Sequence, residues 1–385
     1  MQRLRLILSV RPVPATAAAQ LDRANNFNLL RLVLASAVLL THSYTTVGAP
    51  EPLVQLVGLS MGGVAVDGFF VISGFLVTGS LLARQSAPLF FAARFLRIWP
   101  ALTVSVLACA FIIGPVFTQL PLSTYLADAG TWRFVRDNLT LLTTGQIVNL
   151  PGVFGKEATN APLWTLPFEV RMYLTLGLLW LIAQLAGPAR QAGRVCAAIL
   201  LLALFSLTWR FVLHFSHPSL LYGAAQRLEL WFGPDTARFS FMFFGGAAFR
   251  VLAGRVTPAA PLFWVAVVAL ILAGRQGSDT FFAVYSLTLP YIVLYLSRAP
   301  AGPLSVWRRV GDYSFGTYIF AFPIQQVVAA LVPGLTPWSM TAIAAPLTLA
   351  AAFASWTFIE EPSLRLKGAE ARRPTTQATD RLSAP

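Results

Sequence analysis

The sequence predicts an all-α, polytopic membrane protein of about ten transmembrane helices with no separate soluble domain. Of its 385 residues 56% are hydrophobic and only 11% charged, and the mean hydropathy of +0.68 lies far outside the range of soluble domains. Apolar runs recur at close to the 20 or so residues that a spanning helix needs. The basic residues, finally, collect on one side of the path those runs imply.

The runs are 27–46, 61–83, 99–118, 163–186, 195–213, 239–253, 259–274, 280–297, 314–332 and 339–359, the sixth and seventh being short. Sorting Lys and Arg by the loops between them puts nineteen on the side of both termini and six on the other, with Arg31, Arg171 and Arg210 inside helices. That bias predicts cytosolic termini, an even number of spans and residence in a bacterial inner membrane. The net charge of +13 punctuates apolar runs rather than lining a polar face, so membrane lipid, not nucleic acid, is the expected partner. Cys109 and Cys196 both sit in apolar runs, which predicts neither a disulfide framework nor a cysteine metal site. Residues 1–25, with Leu4 to Val10 interrupted by Arg5 and followed by Arg11 and two prolines, make a poor signal peptide and are expected to be a cytosolic tail. Residues 26–362 form the membrane domain, and the polar stretch 363–385 is expected to be a disordered cytosolic tail. The connection from about Thr118 to Pro162 is long enough for a lid or binding element, although an ordinary surface loop accounts for it as well.

The first span carries Arg31 and His42, eleven residues apart. That spacing returns to within roughly 20° of the same helical direction, about 16 Å along the axis. Ionisable groups are costly in a bilayer and point to function, although Arg31 could simply snorkel to the headgroups while His42 closes the far end. The second span buries Asp67 among glycines, with Gly63, Asp67 and Gly74 near one face where a partner helix can approach. Before the third span, Arg94 and Arg97 lie three apart on one helical face with Pro100 near the expected helix start, a pairing suited to ligand phosphates or equally to lipid phosphates. The fourth span opens with Trp164 and Glu169, and Tyr173 shares the face of Glu169. A carboxylate there could merely answer the helix dipole, but it should lie below the interface. His214 and His217, three apart in an outer loop, lack a third ligand, so no metal site is expected.

Orientation and rise per residue then predict two levels. His42, Asp67 and Glu169 should converge near the outer leaflet, while Arg31, Arg94 and Arg97 gather at the inner face. A histidine suits proton removal from a hydroxyl near neutral pH, with a carboxylate to orient its ring.

These residues resemble the motifs of the acyltransferase 3 family of bacterial integral-membrane acyltransferases, over roughly Asn26 to Pro362. Arg31 and His42 match its Arg and His with ten residues between them, and Gly63 to Leu76, with Phe69, Phe70, Ser73 and Gly74, match its glycine-rich helix. Arg94, Arg97, Ile98 and Pro100 match R-x-x-R-I-x-P, and Trp164, Thr165, Leu166 and Glu169 match W-S-L-x-x-E. Its late motif G-x-x-S-Y-x-x-Y-L-x-H-x-P falls on Gly311 to Pro323, with Ser314 and Tyr318. Three positions depart: Asn28 stands where many members have Asp, Thr165 replaces Ser, and Ala321 occupies the late histidine position. The resemblance implies transfer of an acyl group, commonly from acetyl-CoA in the cytosol, to an acceptor hydroxyl at the periplasmic side.

The reading that results is an O-acyltransferase with no permanently bound cofactor and acyl-CoA as co-substrate. Arg31, Arg94 and Arg97 bind the donor, His42 is the general base, and Asp67 or Glu169 assists it. Its partners would be a glycan or lipid-linked glycan acceptor and the glycan-synthesis machinery. A proton-coupled transporter of a lipid-linked sugar or small molecule, and a structural scaffold, are the alternatives.

Overall fold

A computed structural model describes residues 26–370, apart from 142–147, 156, 188–189, 218, 257, 300–306 and 308–310. The expectations for residues 1–25 and 371–385 fall outside the described residues. Ten long helices carry the fold among the described residues: α1 (Phe27–Thr46), α2 (Met61–Arg84), α3 (Ala87–Phe117), α4 (Leu166–Leu185), α5 (Gln191–Phe215), α6 (Pro234–Val251), α7 (Ala260–Ala273), α8 (Ser278–Arg298), α9 (Ser314–Leu331) and α10 (Pro337–Ser355). Eight are long and apolar enough to cross a membrane. The other two are α6, which carries Asp235, Arg238 and Arg250, and α7, with 14 residues; both correspond to the short sixth and seventh runs. Large apolar side chains such as Leu178, Leu204, Val265 and Phe353 remain exposed, as expected of surfaces facing lipid tails.

Helix ends explain where the sequence reading of the third run went astray. Pro88 sits in the first turn of α3, where a missing N–H costs nothing, so the helix starts at Ala87 and Pro100 lies in its interior. Arg94 and Arg97, expected in a loop, are therefore two to three turns inside the helix. Arg238, expected in an outer loop, lies within α6, and His214 lies in the last turn of α5. At the far end, α10 runs through a π-turn (Trp356–Glu360) into a further helix, Glu361–Glu370, so residues 363–370 of the expected tail are helical.

The connection after α3 is not a surface loop. Its helix Ala129–Thr140 runs back along α3: Trp132 meets Phe111, and the Leu139 carbonyl accepts from Trp99 Nε1 at 2.9 Å, twelve residues, or about 18 Å, further down α3. The chain then returns to a single bridge between Thr118 and Val153 and descends again into a buried 3-10 turn, Ala161–Thr165. Asn160, 3% exposed, donates to Ser105 Oγ (3.3 Å) and the Ile319 carbonyl (3.0 Å). Irregular backbone is tolerated at membrane depth when protein satisfies it in this way.

α2 is the hub. Ser60 caps it by accepting from the Gly63 N–H at 2.9 Å, and its first turn is tied to α1 by the Gly62 N–H on Thr41 Oγ1 at 2.6 Å. Its other flank touches α6 backbone to backbone. A Cβ at Gly74 would stand 1.8 Å from the Phe243 carbonyl oxygen, and one at Gly246 would stand 2.0 Å from that of Val71. Neither carbonyl can swing aside as a side-chain tip would. Gly74→Ala is therefore expected to destabilise the protein by about 3 kcal/mol or more, the upper end for overpacking, read as a lower melting temperature in detergent. A variant that melts with the parent would show that the helices separate at no cost.

Candidate active site

A cavity of about 290 Å³ opens between α1, α2, α3, α4 and α9. It brings together Arg31, Ser73, Arg94, Arg97, Glu169 and Tyr173. Phe69, Phe70, Ser314 and Tyr318 also line it, whereas His42, Gly63, Asp67, Gly74 and Trp164 do not. Trp164 packs instead against Phe168 and Phe239, and Gly63 and Gly74 serve close approach by α6.

The arginines differ in their partners. Arg31 Nη1 and Arg97 Nη2 both contact Asp312 Oδ2, at 2.7 and 2.6 Å, and Arg97 Nη1 reaches Glu360 at 3.2 Å. Asp312 Oδ1 accepts from Ser314 Oγ at 2.5 Å and from the Ser314 backbone N–H at 3.2 Å. Burial alone would raise the Asp312 carboxyl, but the two guanidinium groups and Ser314 outweigh it and bring the pKa down to about 2. Arg94 makes no hydrogen bond or ion pair with a carboxylate among the described residues; its guanidinium lies 5.9 Å from the centre of the Tyr173 ring. Of the three arginines in the cavity wall it is the one without a carboxylate partner among the described residues.

Glu169 joins this group, and that corrects the two-level expectation. It accepts from Ser73 Oγ at 3.1 Å and from the Tyr173 hydroxyl. Ser73 lies six residues past Asp67 on α2, about 9 Å deeper. The sequence placed Glu169 near the outer leaflet by starting the fourth span at the interface. The structure starts it from a segment already buried, so the whole helix sits lower. The same segment is held by Tyr318, whose hydroxyl pairs with Thr165 Oγ1 at 2.6 Å and with the Pro162 carbonyl at 3.0 Å. Threonine in the place of the family's serine thus keeps the hydroxyl that α9 uses.

Asp67 is 0% exposed and meets neither His42 nor Glu169. Arg238 Nε donates to one of its oxygens at 2.8 Å and the Tyr285 hydroxyl to the other at 2.6 Å. Both partners sit in helices far along the chain, so nothing near Asp67 in sequence announces them. An unpaired cation in a span is the available signal, and Arg238 carried it once the start of α6 is known.

His42 packs edge-on against Phe322, with centroids 4.9 Å apart and planes at 82°. Its Nδ1 is buried, and the Val38 carbonyl one turn back is within electrostatic reach without forming a full hydrogen bond. Two helices fix its depth. Val66, at the top of the cavity, is one turn below Gly62, which is tied to Thr41; Tyr318, also in the cavity wall, is one turn below Phe322. Both routes place the His42 ring about 6–7 Å above the roof of the cavity. The late position Ala321 is 1% exposed beside Phe322 and offers no second base.

Comparisons with known proteins identify the family. A family model described as an acyltransferase domain (acyltransferase 3) matches residues 25–357. The O-acetyl transferase of Shigella phage Sf6 is 29% identical over 345 residues, covering 89% of this chain and 96% of the phage protein. Nodulation protein 10 of Rhizobium leguminosarum bv. viciae is 27% identical, covering 89% of this chain and 94% of its own. The peptidoglycan O-acetyltransferase OatA of Listeria monocytogenes is 25% identical over 78% of this chain and 51% of its own. No solved structure matches. The family decides for catalysis over the transporter and scaffold readings. The chain belongs to the acyltransferase 3 family and is a multi-pass membrane O-acyltransferase.

Proposed function

We propose that the protein moves an acetyl group from acetyl-CoA, or a closely related acyl-CoA, to a hydroxyl of a cell-surface glycan or lipid-linked glycan. The observation that carries this reading is the cavity in which Arg94 lacks a carboxylate partner beside the polar set Ser73, Glu169 and Tyr173. The cavity lies toward the face that holds the N-terminal ends of α1, α3 and α9, which the basic-residue bias assigns to the cytosol of a bacterial inner membrane. Arg94 pairs with a phosphate of the donor, and Arg31 and Arg97, already held by Asp312, set the positive wall around it. The pantetheine arm lies along the cavity and carries the thioester past its roof, about 6–7 Å further, to the level of His42.

There the acceptor oxygen attacks the thioester carbonyl while His42 takes its proton. The carbon–sulfur bond breaks, and the imidazolium returns the proton to the departing thiolate. Neither carboxylate contacts His42, so Glu169 acts within the cavity, ordering Ser73 and Tyr173 around the donor, and Asp67 holds α2 to α6 and α8 through its two partners. The names of the relatives support the two ends of the reaction: two are acetyltransferases, and one of these is named for peptidoglycan.

The test is donor binding to purified protein. A charge-assisted contact is worth about 1.5–3 kcal/mol, so Arg94→Ala should weaken acetyl-CoA binding about 10- to 100-fold with an unchanged melting temperature. Unaltered affinity would return Arg94 to lipid phosphate and remove the cavity from the donor's path.

A further inference from the structure

A second cavity, of about 480 Å³, lies among α5, α6, α8 and the helix Leu220–Arg227, at the opposite face of the protein from the first. The two share no lining residue. Its volume is within the roughly 300–1,000 Å³ typical of small-molecule sites. We infer that this cavity is a saccharide-binding subsite for the acceptor, an assignment that takes its place in the reaction from the acyl-transfer reading above.

The donors are two arginines with hydrogens to spare. Arg210 spends Nε on Ser286 Oγ at 3.0 Å and rests on the Phe282 ring at 4.9 Å, leaving both terminal nitrogens. Arg238 spends Nε on Asp67 and Nη2 on the Gly63 carbonyl, leaving Nη1. The acceptor is Asp235, whose carboxylate makes no hydrogen bond or ion pair among the described residues although it lines the cavity beside Arg238. Asp279 is already engaged by His214 Nε2 at 2.9 Å, and that imidazole lies flat on Phe282, with centroids 3.7 Å apart. His217 and Tyr222, in edge-on contact at 4.4 Å, form an aromatic wall.

Charge selects the ligand class. The two guanidinium groups stand among three carboxylates, Asp235 and Asp279 in the lining and Asp67 already paired with Arg238, so their charge is fully matched. A phosphate or carboxylate would meet Asp235 and Asp279, whereas a ring bearing neighbouring hydroxyls can accept from the arginines and donate to Asp235 at once. Depth gives the subsite its role. Arg238 bonds to Gly63, next to the Gly62 that is tied to Thr41, so the cavity stands at the level of His42 but across α2 from it. A sugar held there does not itself react; it positions a neighbouring sugar of the same acceptor.

Saturation-transfer NMR on the full chain in nanodiscs tests this, with methyl α-D-glucopyranoside, methyl α-D-galactopyranoside and methyl α-L-rhamnopyranoside as probes and acetyl-CoA affinity measured on the same samples. At least one glycoside should bind, at least tenfold more weakly to Asp235→Asn and to Tyr222→Ala, while both variants retain acetyl-CoA affinity. Absence of transfer from all three, equal binding to the parent and both variants, or displacement of the glycoside by inorganic phosphate would overturn the assignment. Loss of acetyl-CoA binding by the parent would instead strike the donor reading and leave the sugar result legible.

Discussion

His42→Ala should lower kcat for acyl transfer by about 10²- to 10⁴-fold, the usual contribution of a positioned general base, with acetyl-CoA affinity and melting temperature held. The separation of effects follows from geometry. The ring stands about one helical turn above the first cavity, the proposed donor site, and lines neither cavity, so its removal should take nothing from donor contacts. Among the described residues its ring partner is Phe322, an apolar contact that a smaller side chain forfeits at modest cost. The measurement is transfer of labelled acetyl to an acceptor preparation alongside donor binding. A variant that keeps a tenth or more of the parent's kcat would exclude His42 as the base, and Glu169 would become the next group to test.

Arg97→Ala should act on the fold instead. It removes the shared partner of Asp312 and Glu360, whose side chains are 11% and 2% exposed. Breaking a buried pair from one side typically costs about 3–5 kcal/mol, because the remaining charge stays out of water. The loss here falls where three elements meet: Arg97 comes from α3, Asp312 precedes α9, and Glu360 ends the π-turn after α10. A sharply lower melting temperature is expected, recovered in part when Glu360→Gln accompanies it, since Asp312 keeps Arg31 while Glu360 is left without a cation among the described residues. If Arg97→Ala melts with the parent and merely loses donor affinity, the clasp is not structural. The contrast with Arg94→Ala, three residues away on the same helix face, makes the pair of variants informative together.

Much of this architecture can be read from the chain. Arg31 and His42 leave α1 in nearly the same direction because an eleven-residue spacing is three turns, and Gly63 and Gly74 of α2 do lie on the side where α6 approaches, Gly74 to backbone contact. What escaped was depth and partnership. Glu169 was assigned to the wrong level because a buried, non-helical lead-in such as Ala161–Thr165 looks in sequence like the start of a spanning helix. Arg94 and Arg97 looked like loop residues because the proline that opens α3 is Pro88, not Pro100. Asp67 finds Arg238 and Tyr285 more than 170 residues later, and Asp312 takes Arg31 and Arg97 from more than 200 residues earlier. Periodicity within a segment does not carry such pairings; only the packed arrangement of helices does.

The two basins, set at opposite faces with the Asp67–Arg238–Tyr285 knot between them, have a bioenergetic consequence. Both oxygens of Asp67 are engaged there, so its carboxylate is not free to relay protons from one basin to the other. On the proposed route an acyl group would then pass from one face to the other without drawing on the cell's electrochemical gradient at this point.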